Sequence, residues 1–318
     1  MNNKYYPMNL AEVLDQVLDL YKRSFLKQIG IYIIFYIIFT VALAIFITVG
    51  VLAAAVTAFG TFAQGSLGAG GYFVIAVIIL LFLLVIAMYG ALSSTGNALV
   101  TKQTFLGEHC ELGKVIGMAF KKIWIATSAV IANLIALIPA IIVMGVFVFL
   151  YVTMLDGFIN DGMGVISIIL FSVFLILIVL TFVVLYITIT MLSVSVAIFE
   201  GRWFFGALMR GFSLAQPDFF KLMGIVAIWF SITYAFSYSI EMLFGLGSAL
   251  LTSFLPVEMA VLVSMGSMAL SLVFTLIVGT LIAPLSGIFY TTVYINQRIK
   301  HEGLDIELNL NALRSRER

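Results

Sequence analysis

The stretch GYFVIAVIILLFLLVIAMYGALSS, residues 71–94, decides the fold class of this chain. It lies within residues 28–101, which contain no Lys, Arg, Asp or Glu. A helix that crosses the hydrocarbon of a bilayer needs about 20 mostly apolar residues. Residues 28–101 are therefore long enough for two spans, with the glycine-rich stretch 59–71 as the loop between them. The sequence predicts a helical membrane protein.

The composition of the whole chain supports this interpretation. Of 318 residues, 63% are hydrophobic and 10% are charged, whereas roughly a quarter of a soluble domain is charged. A water-soluble core cannot bury that much apolar surface, so part of the surface must face lipid. The net charge of +1 gives no field that selects nucleic acid, and none is expected as a partner. Residues 1–25 lack the pattern of a cleavable signal peptide, so insertion is expected to begin at the first apolar run.

Six spans are predicted from the uncharged runs, which do not alternate as barrel strands would. In chain order they are 30–55, 72–97, one within 123–155, one within 162–199, 222–240, and one within 259–297. Several runs exceed one span. The excess residues, such as 242–256, are expected to lie along the outer interface, re-enter the membrane or project above it.

All 16 Lys and Arg residues lie on one side of the predicted spans. They precede span 1, join spans 2 and 3, join spans 4 and 5, or follow span 6. The opposite loops carry Asp156, Asp161 and Glu258 instead. Because cytoplasmic loops collect Lys and Arg, both termini are predicted to be cytoplasmic.

An amphipathic helical segment is predicted on the cytoplasmic membrane surface before each pair of spans. The first, residues 8–25, begins with Asn9 and Glu12, which form a predicted capping box. Residues 1–318 are thus predicted to be one transmembrane domain of three hairpins. Its possible repeats are 8–101, 102–201 and 202–300, followed by a cytoplasmic tail, 301–318. The alternative is that basic amphipathic flanks are a general feature of polytopic proteins.

Glu241 is the first candidate for a polar site in the membrane. It follows Lys221 by 20 residues, which raises a helix by about 30 Å and places the carboxylate at the outer headgroup level. A later helix start or a strong tilt would place it inside the membrane, where carboxylates are functional candidates. Asn133 and Asn97 are the other candidates, although such groups usually form hydrogen bonds between helices.

Charged residues of the cytoplasmic segments are candidate contacts for lipid headgroups or a partner protein. They are Lys121, Lys122, Arg202, Arg210, Lys221, Arg298, Glu302 and Asp305. The alternative is that the basic residues only set the topology. The tail, residues 301–318, is interpreted either as a docking segment or as a solvated terminus.

Patterns that carry catalysis or hold cofactors are missing from the sequence. The only histidines are His109 and His301, and His109 lies in EHCE, residues 108–111. Neighbouring residues on one helix would point in different directions, and Cys110 is the only cysteine, so neither a metal site nor an internal disulfide is predicted. No phosphate-binding glycine motif is present. We therefore expect no catalytic residues, metal or cofactor, and the sequence favours a protein that is not an enzyme.

Three stretches resemble the glycerophosphoryl diester phosphodiesterase membrane domain family. They are residues 12–25, 196–225 and 294–308. The positions of the second stretch that fall on the family's pattern are Glu200, Ala207, Leu208, Arg210, Leu214, Phe220 and Gly224. The third stretch matches the family's terminal motif at Tyr294, Arg298, Glu302, Gly303 and Asp305, and departs from it at Asn296 and Lys300.

The resemblance implies a multi-pass protein of a bacterial plasma membrane. In the members that give the family its name, this region precedes a soluble barrel with phosphodiesterase activity. The third stretch lies close to Arg318, so we expect no such barrel and no such activity in this chain.

The sequence thus predicts a non-catalytic accessory or partner subunit of a transport or lipid-handling system. Its expected partners are membrane lipids and a protein in the membrane or at its cytoplasmic face. The alternative is a small transporter or lipid translocator that acts alone, with Glu241, Asn133 and Asn97 along one path. A membrane enzyme on glycerophosphodiester-type substrates is less favoured, because it needs clustered carboxylates or histidines at one membrane face.

Overall fold

A computed structural model describes residues 6–64, 69–160, 165–254 and 257–314, and these residues form helices and no strand. The α-helices are α1 Leu10–Gln64, α2 Ala69–Leu106, α3 Leu112–Lys121, α4 Ile123–Asn160, α5 Val165–Thr190, α6 Ser193–Glu200, α7 Phe204–Ala215, α8 Phe219–Ser253, α9 Val257–Glu302 and α10 Leu304–Arg314. A 3-10 turn, Gln216–Asp218, joins α7 to α8. In the described ranges, six helical stretches are long and apolar enough to cross a membrane, which confirms the prediction of an all-α polytopic membrane protein.

The long helices exceed the predicted spans. Helix α1 has 55 residues, which corresponds to about 80 Å. The stretch 59–71, predicted as a loop, is helical up to Gln64 and again from Ala69, while its residues 65–68 lie outside the described part of the chain. The hydrocarbon of a bilayer is about 30 Å thick, and these helices are longer than that. Because the helices are continuous, they favour projection of the excess apolar residues beyond the membrane rather than re-entry into it.

Short helices precede the second and third hairpins, where amphipathic segments were predicted, and their location on the membrane surface stays a prediction. Helices α3 and α7 are separate and bury one face each, with Val115 and Ala119 on α3 and Ala207 and Leu214 on α7. The first unit differs from the prediction, because its amphipathic segment and span 1 form the single helix α1. The predicted capping box is confirmed: the Asn9 backbone N–H donates to Glu12 Oε2 at 2.8 Å, and the Glu12 N–H donates to Asn9 Oδ1 at 3.0 Å.

The six long helices close into a ring. Consecutive helices pack as the hairpins α1–α2, α4–α5 and α8–α9, and contacts between α2 and α4, α5 and α8, and α9 and α1 join the hairpins. Helices α2 and α9 also touch across the ring. Gly287 of α9 permits this approach, since a Cβ there would lie 2.8 Å from the Cβ of Asn97.

The packed core occupies one end of the ring. We call this the basic end, because the Lys and Arg residues of the described chain lie there, and the opposite end the far end. Side chains such as Val17, Leu20 and Phe289 are fully buried at the basic end. Among residues whose side chains are described, none within 36–84, 134–187 or 230–283 is buried. The helices therefore pack tightly only where α3, α6 and α7 fill the space between them.

Candidate functional site

A network of charged and hydroxyl side chains forms at the basic end around Glu200. Helix α6 ends at this residue because Gly201 adopts a left-handed conformation, φ +72°, which turns the chain towards α7. Helix α7 brings Arg210 back, with its Nε 3.0 Å from Glu200 Oε2. From α9, the Tyr294 hydroxyl donates to Glu200 Oε1 at 3.1 Å. Glu200 therefore connects three helices.

The network continues along the last turn of α9. Arg298 Nε donates to Glu302 Oε2 at 2.9 Å, and the Arg210 guanidinium also contacts the Glu302 carboxylate. Gly303, φ +67°, ends α9 directly after Glu302. We call Glu200, Arg210, Tyr294, Arg298 and Glu302 the Glu200 network. The side chain of Glu200 is only 14% exposed, so removing one partner would leave a poorly solvated charge.

Aromatic rings and two lysines support the network from α2 and the α3–α4 junction. Tyr294 stacks on Phe199 with ring centroids 5.5 Å apart, and Lys102 Nζ lies 5.2 Å from the centre of the Phe199 ring. Lys122 Nζ donates to the carbonyl oxygen of Ile198 at 2.5 Å. Burial, followed by the nearby charge of Lys102, lowers the pKa of Lys122. Both cations lie near the C-terminus of α6, where the helix dipole favours positive charge.

A second cluster surrounds Asp218 in the turn between α7 and α8. Its carboxylate lies 3.1 Å from Lys221 Nζ, 3.7 Å from Lys300 Nζ and 3.5 Å from His301 Nε2. These contacts join the start of α8 to the end of α9. The Glu200 network thus joins α6 and α7 to α9, and the Asp218 cluster joins the start of α8 to the same helix.

The structure assigns different places to the predicted cytoplasmic contacts. Arg202, Arg210, Arg298 and Glu302 meet around Glu200, with Arg202 Nε 3.4 Å from Glu200 Oε2. Lys122 binds a backbone carbonyl and Lys221 pairs with Asp218. Within the described ranges, Lys121 and Asp305 belong to neither cluster.

The side-chain amide of Asn296 forms two hydrogen bonds with the backbone of Met8. Its Oδ1 accepts from the Met8 backbone N–H at 2.8 Å, and its Nδ2 donates to the Met8 carbonyl at 3.2 Å. This pair of bonds ties the start of the chain to α9. It needs an amide, because an ionised carboxylate accepts but does not donate.

The EHCE stretch, residues 108–111, does not lie on a helix. Residues 108–111 form the connection between α2 and α3, with His109 exposed and Cys110 buried. Burial raises the pKa of the Cys110 thiol. In the described part of the chain, no group of three or more His, Cys, Asp or Glu is placed to hold a metal ion.

The three polar candidates in the membrane do not share a cavity. Asn133 Oδ1 accepts from the Ser193 hydroxyl at 2.8 Å and lines a cavity of about 250 Å³ near the basic end, together with Tyr186 and Thr190. Asn97 is buried, and its Oδ1 accepts no hydrogen bond from the described residues. Glu241 lies at the far end, where it lines a cavity of about 600 Å³ between α8 and α9. We call this the outer cavity.

Fold and site together define an all-α polytopic membrane protein with two clusters of paired charged side chains at one end of a six-helix ring. No family model, curated protein or solved structure matches the chain.

Proposed function

We propose that this chain is a non-catalytic protein of the plasma membrane that serves as an accessory or partner subunit of a transport or lipid-handling system. Both termini and the basic end would face the cytoplasm, as the distribution of Lys and Arg predicts. The observation that carries the proposal is the Glu200 network. It joins α6, α7 and α9 into one pre-ordered surface, and pre-ordered surfaces lose less conformational entropy when a partner binds.

The surface beside the network has the composition of a docking site. Phe205 and Met209 are exposed and lie four residues apart on α7, so they share one face of the helix. Trp203 and Phe220 are also exposed nearby, and Arg202 is half-exposed. Aromatic residues, Met and Arg are enriched where proteins bind each other. This face of α7 is the proposed contact with a protein partner.

Affinity purification from native membranes tests this role. We expect the tagged wild-type chain to bring down a partner protein, and Met209→Glu to reduce its recovery about tenfold, because a charge in an apolar contact costs over 1 kcal/mol. The control is Leu310→Glu, which places the same charge at another exposed apolar side chain, on α10. Recovery of lipid alone, or equal recovery of the partner with both variants, would contradict the proposal.

A relationship to the glycerophosphoryl diester phosphodiesterase membrane domain family is also proposed, from the three stretches of sequence that resemble it. Glu200, Arg210, Tyr294, Arg298 and Glu302 all fall on the matched positions and contact one another. If the relationship holds, these positions are retained for structure rather than for catalysis.

A second candidate function is that of a transporter or lipid translocator acting alone. The outer cavity favours it, because a carboxylate lines an open space between two membrane helices. Purified protein in liposomes is the test: we expect faster exchange of a dye-labelled phospholipid between leaflets than in protein-free vesicles. An unchanged exchange rate would remove this candidate.

A further inference from the structure

The outer cavity combines polar groups from both helices of the third hairpin. Glu241, Ser237 and Ser248 line it from α8, and Ser267, Ser271 and Thr275 line it from α9. Its volume of about 600 Å³ falls within the range of small-ligand pockets, about 300–1,000 Å³. Polar groups that converge from two helices on such a volume are typical of a binding site.

The hydroxyl groups in this cavity are oriented as acceptors. The Ser237 hydroxyl donates to the Thr233 carbonyl at 2.9 Å, and the Ser248 hydroxyl donates to the Gly245 carbonyl at 2.9 Å. Each hydroxyl has one hydrogen, so the lone pairs on these oxygens remain to accept. Together with the acceptor-only carboxylate of Glu241, they suit a ligand that is rich in hydrogen-bond donors.

The Lys and Arg residues of the described chain lie at the basic end, away from Glu241. The runs 28–101, 123–155, 162–199 and 222–297 contain no Lys or Arg, and they include all six predicted spans. An ionised carboxylate at the edge of an apolar medium is stabilised by an opposite charge. A cationic group on a ligand can supply that charge.

The other walls of the cavity are apolar. Ile240 of α8 and Ile282 of α9 line the cavity on the side of Glu241 nearer the basic end. On the other side of Glu241, Phe244 of α8 stacks on Phe274 of α9 with ring centroids 5.4 Å apart and closes the cavity. Such walls suit hydrocarbon rather than a small water-soluble amine. A ligand that suits both the polar and the apolar parts of the cavity is amphiphilic, with a cationic head and an acyl chain.

The position of Glu241 fits the headgroup layer of a bilayer. It lies 20 residues beyond Lys221 on the continuous helix α8, or about 30 Å along the helix axis. That distance equals the thickness of the hydrocarbon, about 30 Å. A lipid headgroup in the leaflet at the far end lies at this height.

We propose that the outer cavity binds the primary ammonium headgroup of an aminophospholipid from the leaflet at the far end. The ammonium group donates to the Glu241 carboxylate and to the hydroxyl oxygen of Ser237, one helical turn away on α8. An acyl chain extends from it towards the hydrocarbon, along Ile240 and Ile282. A quaternary ammonium has no N–H to donate and fits these acceptors less well. This site is independent of the accessory role proposed for the basic end.

Native mass spectrometry of the purified full chain tests the site. The protein is equilibrated with vesicles of phosphatidylethanolamine, phosphatidylcholine and phosphatidylglycerol in equal amounts, and the retained lipids are counted. We expect phosphatidylethanolamine to be retained about tenfold over phosphatidylcholine, the effect of one charge-assisted hydrogen bond. Glu241→Gln should abolish this preference. Glu307→Gln, which removes an exposed carboxylate on α10, should leave it unchanged.

Each remaining outcome speaks against the proposal. Equal retention of phosphatidylethanolamine and phosphatidylcholine by the wild-type protein would show that the ammonium group is not recognised, whatever the variants do. A preference that survives Glu241→Gln would place the lipid elsewhere. Displacement of the lipid by free ethanolamine at millimolar concentration would show a site for small amines rather than for a lipid.

Discussion

The two ends of the six-helix ring are built differently, although the same helices form both. At the basic end, α3, α6 and α7 fill the space between the long helices, and the charged side chains pair with one another. At the far end, the described side chains of the long helices are not buried, and a carboxylate faces an open cavity. The difference indicates that stability is concentrated at the basic end, which leaves the far end free to adapt to a ligand.

The largest effect on stability is expected when a phenylalanine at each end is truncated to alanine and the two losses are compared. Phe289 is fully buried at the basic end and stacks on Trp229 with ring centroids 4.8 Å apart. Phe289→Ala should lower the free energy of unfolding by about 3–5 kcal/mol. Phe73→Ala, at an exposed position near the far end, should change it by less than about 0.5 kcal/mol. Unfolding in mixed micelles, followed by circular dichroism, measures both values, and similar losses would contradict the comparison.

A smaller effect is expected from adding volume to α7. A Cβ at Gly211 would lie 3.0 Å from the Ser193 backbone nitrogen, which cannot move aside without moving α6. Gly211→Val should therefore destabilise the protein by about 1–3 kcal/mol. Gly206 is a matched control on the same helix, because a Cβ there would meet no atom within 4 Å. Thermal unfolding in detergent should show a loss for Gly211→Val well beyond that for Gly206→Val; equal losses would mean that α7 is not wedged against α6.

A third comparison, with an expected effect of the same size, tests the role of the Glu200 network. Glu200→Gln keeps the size of the side chain but removes the charge that Arg210 and Arg202 face, and should cost about 1–3 kcal/mol. The control is Glu111→Gln at an exposed pair with Lys114, which should change stability by less than about 1 kcal/mol. Chemical unfolding of both variants measures the difference. If the two variants lose the same free energy of unfolding, the Glu200 network contributes no more to stability than an exposed ion pair.

The class of fold was predictable from sequence because the helices in a bilayer must be long, apolar and free of charge. Uncharged apolar runs such as 28–101 are typical only of membrane-spanning helices. The short turns between the helices predict that consecutive helices pair as hairpins. The continuity of α1 from Leu10 to Gln64 was not predictable, since amphipathic and uniformly apolar segments both suit a helix. The closure of the ring through α5 and α8 depends on contacts between residues far apart in sequence.

The candidate site was predictable only in part. Arg210 and Glu302 were singled out as charged cytoplasmic residues, but their contact spans 92 positions of the chain and leaves no periodic pattern. Glu200, the centre of the network, was noticed only through the family resemblance. A single acidic residue that closes a long uncharged run and precedes two arginines is the feature that identifies it. The cavity at Glu241 depends on how α8 and α9 are rotated against each other, which hydropathy does not encode.

The proposed roles of both ends of the ring depend on which side of the membrane the basic end faces. In a Cys110→Ala background, single cysteines replace Lys114 near the basic end and Phe254, which is 85% exposed at the far end. A membrane-impermeant maleimide added to intact cells should label Phe254→Cys, and should label Lys114→Cys only after the membrane is opened. Labelling of Lys114→Cys but not Phe254→Cys in intact cells would contradict the proposed orientation.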